Sequence, residues 1–372
     1  MKILFVSHEK SRNGSTVSMV TLIMMLKDLY GYEIDVLLPN HGRAENFLIE
    51  KHIPYKIGYY FNDFRVIGKR KRLFEIIKNI VNYSAVIRIV KHLKYGQYDY
   101  IISNSTAVDV GARIARCRGI KHVYYVREFM EEDFSFEYRN KKRMKQLFES
   151  SNKIIFISNV IAKKYISLYK LKNYRVIYNG INMKDYYIKN HVIFRTSILK
   201  IVQIGTFHDG KGTKESIELI KLIKDRVPCQ LTLVGEGDKN YVNLLWEYIN
   251  ENNLEKNIKI LPYENDIKSV LLNNDILLIN SKSEAFGRVT IEGMAGGLLA
   301  LGRDSGATGE IIEHEFTGML FYDKKSFLEV MIDIKNNKEK YREMARQGQA
   351  YVLETYSALK NANNVREYLI SG

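Results

Sequence analysis

The chain has 372 residues, 46% of them hydrophobic, enough to fill two cores and to exclude disorder as the default state. Its only cysteines, Cys117 and Cys229, form no disulfide framework and point to a reducing, cytoplasmic setting. Residues 1–190 carry 34 Lys and Arg against 17 Asp and Glu, so the whole formal charge of +15 lies in the N-terminal half.

That asymmetry points to a polyanionic partner: nucleic acid, an anionic membrane face or a phosphorylated lipid. The N-terminal half has no recognition-helix motif and no RNP-like aromatics, which removes nucleic acid. MKILFVSHEK is too short and too soon charged for a signal peptide. No run of about 18 apolar residues is present to span a membrane.

In chain order, ILFVS (3–7), IDVLL (34–38), YIISN (100–104), VYYV (123–126) and IIFIS (154–158) read as buried strands. Helix-period segments lie between them, the rhythm of βαβ units in a parallel sheet. One of these segments, LFEIIKNIVNYSAVIRIVKHLK, has a broad apolar face of Leu73, Ile76, Ile77, Ile80 and Ile87. It reads as a crossover helix whose cations Lys78, Arg88, Lys91 and Lys94 form a solvated side. Just before it, Lys69, Arg70, Lys71 and Arg72 oppose the macrodipole at a helix start, so helix stability does not explain them. Docking on anionic lipid does, at about 1 kcal/mol per cation.

VIYNGIN (176–182) closes the first series, with Asn179-Gly180 as a turn signal and a linker running to about Ser197. A second series follows: KIVQIG (200–205), LTLVG (231–235), IKIL (258–261), ILLIN (276–280) and LLALG (298–302). The expectation is an α/β chain of two Rossmann-like lobes facing a central cleft. The lobes would span 1–182 and 198–355, with the helix 356–372 a candidate to rejoin the first. Ligands of doubly wound sheets bind beyond the carboxyl ends of the strands, so the residues there carry the chemistry.

The richest such stretch follows ILLIN. In EAFGRVTIE (284–292), Gly287 admits close backbone approach, and the helix start that follows favours a phosphate. Glu292, about one turn into the helix, can accept paired ribose hydroxyls, and Glu284 can reach hydroxyls of a sugar. Both also suit a plain structural role beside a helix start.

This string resembles the E-x7-E signature of GT4-family glycosyltransferases, retaining enzymes of the GT-B fold. Further pieces agree in order: VIYNGIN, IGTFHDGKG (204–212), LVGEGD (233–238), SGATGEII (305–312) and TGMLF (317–321). The resemblance implies a retaining transferase that moves a sugar from a nucleotide-diphosphate donor to a saccharide acceptor. It further implies that Glu292 holds the donor ribose, Glu284 the donor sugar, and the backbone of Phe286, Gly287, Arg288 and Val289 the diphosphate or sugar. Lys211 would neutralise the leaving diphosphate. Gly205 and Thr206 would line the donor site, with Gly14 and Ser15 near the phosphates and acceptor.

Two positions depart from the family. Thr206 stands where an arginine is common, and Arg127 follows VYYV where a histidine is common. Arginine cannot be a general base, so Arg127 is expected either to supply the missing phosphate cation or to be a surface partner of Glu128 or Glu131. No Asp-x-Asp follows a strand and no His/Cys cluster has ligand spacing, so no metal is expected. Gly205–Gly212 nearly spells a P-loop, but Gly212 occupies the hydroxyl position, which removes an NTPase reading. The expected setting is a lipid-linked acceptor in bacterial surface polysaccharide assembly, with the protein peripheral on the inner face of the plasma membrane. The alternative is a catalytically inactive relative that binds a sugar or a partner.

Overall fold

The computed structural model describes residues 1–68, 72–94, 96–131, 135–264 and 266–371, with Arg72 described in its backbone only. The chain divides into two compact units, Met1–Gly180 with Ala358–Gly372, and Ile181–Ser357.

The first unit is built on a seven-stranded sheet of order β3-β2-β1-β5-β6-β8-β9. Its strands are β1 (Lys2–Val6), β2 (Glu33–Leu38), β3 (Tyr55–Ile57), β5 (Tyr100–Ser103), β6 (Lys121–Val126), β8 (Lys153–Phe156) and β9 (Tyr174–Val176). Each neighbouring pair is parallel, with Phe5 in register with Val36 on one side and Ile102 on the other. Ile3, Phe5, Val36 and Ile102 are wholly buried, as strands covered on both faces require. A two-stranded antiparallel ribbon, β4 (Phe64–Val66) with β7 (Phe136–Tyr138), lies outside this sheet. The helix Ala358–Ile370 returns to close the unit: Asn361 Nδ2 donates to Tyr178 O at 2.6 Å and Tyr100 Oη to Leu369 O at 2.7 Å.

The second unit has a six-stranded sheet of order β12-β11-β10-β13-β14-β15. Its strands are β10 (Leu199–Ile204), β11 (Cys229–Val234), β12 (Ile258–Leu261), β13 (Ile276–Ile279), β14 (Leu299–Arg303) and β15 (Met319–Phe321), all paired in parallel. This is the doubly wound order, in which the strand order, not the strand direction, reverses between β10 and β13. The stretch read from sequence as a linker packs on this unit. Phe194 is buried, and its N–H donates to Asp275 Oδ1 at 2.6 Å.

One expectation is overturned. The helix Arg72–His92 does not turn its apolar face inward. Leu73, Ile76, Ile77, Ile80 and Ile87 are all exposed. The surface under the first half of the helix is polar, built from Arg65, Arg139 and the Phe61 backbone, and it selects Glu75, Asn79 and Asn82 as the inward side chains. Apolar burial resumes only at Ala85 and Val86. Lys69, Arg70, Lys71 and the Arg72 side chain, the expected membrane contacts, lie outside the described residues.

Candidate functional site

In the second unit, the loops after β10 and β13 meet at the point where the strand order reverses. His208 starts a 3₁₀ turn, Asp209–Lys211, by accepting the Gly210 N–H on Nδ1 at 3.1 Å. Gly212 then takes φ +64°, and a Cβ there would fall 2.0 Å from Asn280 O, so only glycine fits. Asn280 Nδ2 donates to Gly212 O at 3.2 Å and the Lys282 N–H to Gly210 O at 2.9 Å, stitching the loops together.

This stitching brings Lys211 Nζ to 2.8 Å from Glu284 Oε2, an oxygen that also accepts the Ser281 hydroxyl at 2.9 Å. Burial alone would raise the Glu284 carboxyl. The Lys211 charge and hydrogen bond, with the Ser281 hydroxyl and Gly287 N–H, outweigh it and hold the carboxyl below its ordinary value. Glu284 is therefore ionised and aimed, not a loose helix-flanking acid. The loop 305–307 braces it from behind, with the Ala307 N–H donating to Glu284 O at 2.7 Å. His208 is held below its usual value by burial first and by Lys211 second. With Nδ1 occupied as an acceptor, its Nε2 carries the proton.

The helix Arg288–Ala295 starts beside this pair, with glycine, Gly287, at its N-cap. Gly287, at φ +94°, sets the entry, and Phe286 anchors it in the core. Glu292 is buried and accepts Arg288 Nε at 2.6 Å; Arg288 Nη2 donates onward to Tyr186 Oη at 3.2 Å. Burial, and then the Glu292 charge, pushes the Tyr186 hydroxyl up to about 12. Gly205 follows β10 with its N–H on Val234 O at 3.0 Å, and Thr206 next to it is exposed. Ser281, His208, Tyr186 and the Arg288 side chain were not legible as partners. The i, i+4 spacing of Arg288 and Glu292 was the one available signal.

In the first unit, Gly14 and Ser15 open the helix Gly14–Tyr30 after β1, capped by Asn13, whose Oδ1 accepts the Thr16 N–H at 3.1 Å. Asn104, after β5, donates from Nδ2 to Ser15 O at 3.4 Å and accepts Arg127 Nε at 2.7 Å. Arg127 Nη1 donates to Asn179 Oδ1 at 2.7 Å, and the guanidinium lies 4.1 Å over the Tyr125 ring. A relay thus runs from Ser15 through the Asn104 amide to Arg127 and on to the Asn179 amide, and nothing in the spacing of Asn104 and Asn179 announced it.

Arg127 is buried, which overturns the surface ion-pair alternative. Glu128 turns to the hydroxyls of Ser105 and Thr106 and the Thr106 N–H, at 2.7, 2.8 and 2.9 Å.

Two family models match the chain: "Glycosyltransferase Family 4" over residues 12–185 and "Glycosyl transferases group 1" over residues 189–351. An Escherichia coli UDP-Gal:alpha-D-GlcNAc-diphosphoundecaprenol alpha-1,3-galactosyltransferase is 21% identical over 360 residues, 90% of each chain. A Bacillus anthracis N-acetyl-alpha-D-glucosaminyl L-malate synthase is 24% identical over 57% of this chain; the match spans 58% of that protein. Among solved structures, Anabaena Alr3699/HepE in complex with UDP and glucose superposes with a TM-score of 0.82 at 19% identity, covering 100% of both chains. At that identity the likeness shows a shared fold, the two-lobed GT-B arrangement of parallel sheets.

Proposed function

The chain belongs to the group 1, family 4 glycosyltransferases, and from that premise we propose that it transfers a sugar from a nucleoside-diphosphate sugar to a lipid-linked saccharide acceptor, with retention. The observation that carries this reading is the Lys211–Glu284 pair, 2.8 Å apart where the strand order of the second sheet reverses, beside the start of the helix Arg288–Ala295. That is an anion site and a hydroxyl acceptor side by side.

Lys211 takes charge from the departing diphosphate, the Phe286–Val289 backbone meets the diphosphate or sugar, and Arg127 supplies a second cation. Glu284 orients the donor sugar through its hydroxyls, and Glu292, pre-aimed by Arg288, takes the ribose. The bond from the anomeric carbon to the phosphate oxygen breaks as the acceptor oxygen bonds on the same face. The acceptor proton passes to the departing phosphate, so the site needs cations and amides rather than a protein base. Uridine donors come first in the test because a relative is named for UDP-Gal and a structural neighbour was solved with UDP.

The charge of residues 1–190 and the diphosphoundecaprenol in that relative's name support the lipid-linked acceptor. The proposed setting is the inner face of the bacterial plasma membrane, in surface polysaccharide assembly. Release of nucleoside diphosphate from a panel of sugar nucleotides, with a polyprenyl-diphosphate saccharide as acceptor, tests the reading. A folded protein that binds donors yet releases none is the inactive relative instead. We propose a metal-independent reaction, so turnover should persist in EDTA; loss restored by Mg²⁺ or Mn²⁺ would mean that the diphosphate site is built differently.

A further inference from the structure

A helix that covers a sheet normally buries its apolar stripe. The first three turns of Arg72–His92 do the reverse. Leu73, Phe74, Ile76, Ile77, Ile80 and Tyr83 are 73, 60, 55, 46, 60 and 61% exposed, a continuous strip at helical spacing. The strip is held outward by polar bonds on the other side. Arg65 Nη1 donates to Glu75 Oε1 at 2.8 Å, and Asn82 takes the Phe61 N–H at 2.7 Å and returns a bond to Phe61 O at 2.8 Å. Arg88 Nη2 donates to Gly58 O at 2.6 Å. The same bonds hold the preceding segment alongside, and it adds Tyr59, Phe61 and Ile67, also exposed.

A solvated apolar strip of this extent marks a contact surface, and its charge identifies the partner. Residues 69–94 contain eight Lys and Arg and a single acid, Glu75. Lys78 sits 5.5 Å over the Phe61 ring and Arg88 5.9 Å over the Tyr59 ring, so cations border the strip. A second copy of the chain would set like charge against like charge. A bilayer rich in anionic lipid complements both features, apolar and ionic.

We propose that this helix lies in the plane of an anionic membrane and inserts the strip into the boundary between headgroups and acyl chains. None of its residues is among those assigned to the candidate site, and the proposal, which rests on the membrane setting of the proposed function, replaces docking by surface charge alone with anchoring by insertion. The test is flotation with vesicles of phosphatidylglycerol and phosphatidylcholine at about 0.1 M and about 0.5 M salt, which screens exposed charge. Part of the binding persists at the higher salt, because buried apolar area is not screened. A Leu73→Ser/Ile76→Ser/Ile80→Ser variant loses at least about tenfold in partitioning and keeps its melting temperature and its transfer to a soluble acceptor. Parent-like partitioning of that variant, or complete release of the parent by salt, overturns the proposal. So does a parent dimer that the variant converts to monomer. Should the triple variant fail to fold, Ile80→Trp decides: its fluorescence shifts to the blue with anionic vesicles, and an unshifted spectrum overturns insertion.

Discussion

The two units share a winding order around their central strands, yet they build the ends of those strands in different ways. In the second unit the loops after β10 and β13 are shaped by backbone: Gly212 and Gly287 at positive φ, carbonyls and amides stitched across, and the Lys211–Glu284 ion pair projecting from the result. In the first unit the same places are filled by side chains. Asn104, Arg127 and Asn179 form one relay, and Arg139 and Arg143 form an ionic knot with the buried carboxylates of Asp63 and Asp109. A site made from backbone needs particular residues at fixed spacing and so leaves a motif. A site made from side chains that meet only after folding leaves single letters far apart.

The contrast can be broken by substitution. Lys211→Ala removes the one cation paired with Glu284 and should lower kcat/KM by roughly 10²–10³-fold, the usual loss when a preorganised charge is deleted. A tenfold loss or less would mean that the backbone alone carries the diphosphate. Arg127→Ala should cost about a hundredfold. Asn104→Ala and Asn179→Ala, which only orient it, should cost about tenfold each and combine non-additively with it, because they act through one group. If Arg127 supplies the charge missing at Thr206, adding Thr206→Arg restores part of its loss; simple additivity of that pair would argue for two independent roles.

Glu292→Ala should cost roughly ten- to a hundredfold, from a charged hydrogen bond of about 1.5–3 kcal/mol, with the loss appearing in donor affinity. Arg288→Met should reproduce part of that loss by freeing the carboxylate to turn; unchanged donor affinity in both variants would sink the ribose assignment.

The smallest effect is a pH dependence. The Glu284 carboxyl is held below 4.5 in the folded protein, so its contribution to stability is present above that pH and is lost as pH falls through the folded value. The stability gap between the parent and Lys211→Met should therefore be widest near neutrality and narrow in acid, as both carboxyls protonate. Chemical denaturation at several pH values reads it; a gap independent of pH would mean that Lys211 and Glu284 are uncoupled.

These contrasts also explain what could be read beforehand. The ten strands visible as largely apolar runs all appear in the two sheets, and the central ones, such as β5, β8 and β13, are buried along their whole length, which favours unbroken apolar sequence. Strands β3, β4, β7, β9 and β15 were missed. Each has only three residues, and β3 and β9 are partly exposed with Tyr and Lys or Arg among them, so neither an apolar run nor an alternation forms. The helix Arg72–His92 shows a subtler limit. Periodicity located its apolar stripe, at 73, 76, 77, 80 and 87, but periodicity is silent on which way a stripe faces. That was decided by Asn82, Glu75 and their partners on other segments. Likewise, seven residues between two glutamates said nothing of the different cations that hold them, Lys211 from another loop and Arg288 from the same helix.

The return of Ala358–Ile370 to the first unit has a consequence for how the protein is made. Asn361 and Leu369 take up bonds to Tyr178 and Tyr100, and this helix also packs on Gly14–Tyr30. All 177 residues of Ile181–Ser357 must be translated between those partners. At about 5–20 residues per second the ribosome takes roughly 10–35 seconds over them. For that interval the nascent first unit lacks its closing helix, while the second unit, continuous in sequence, can fold as it emerges. Contacts between such distant residues are also the slowest to close. In pulse proteolysis of stalled nascent chains, the second unit should become resistant before the first.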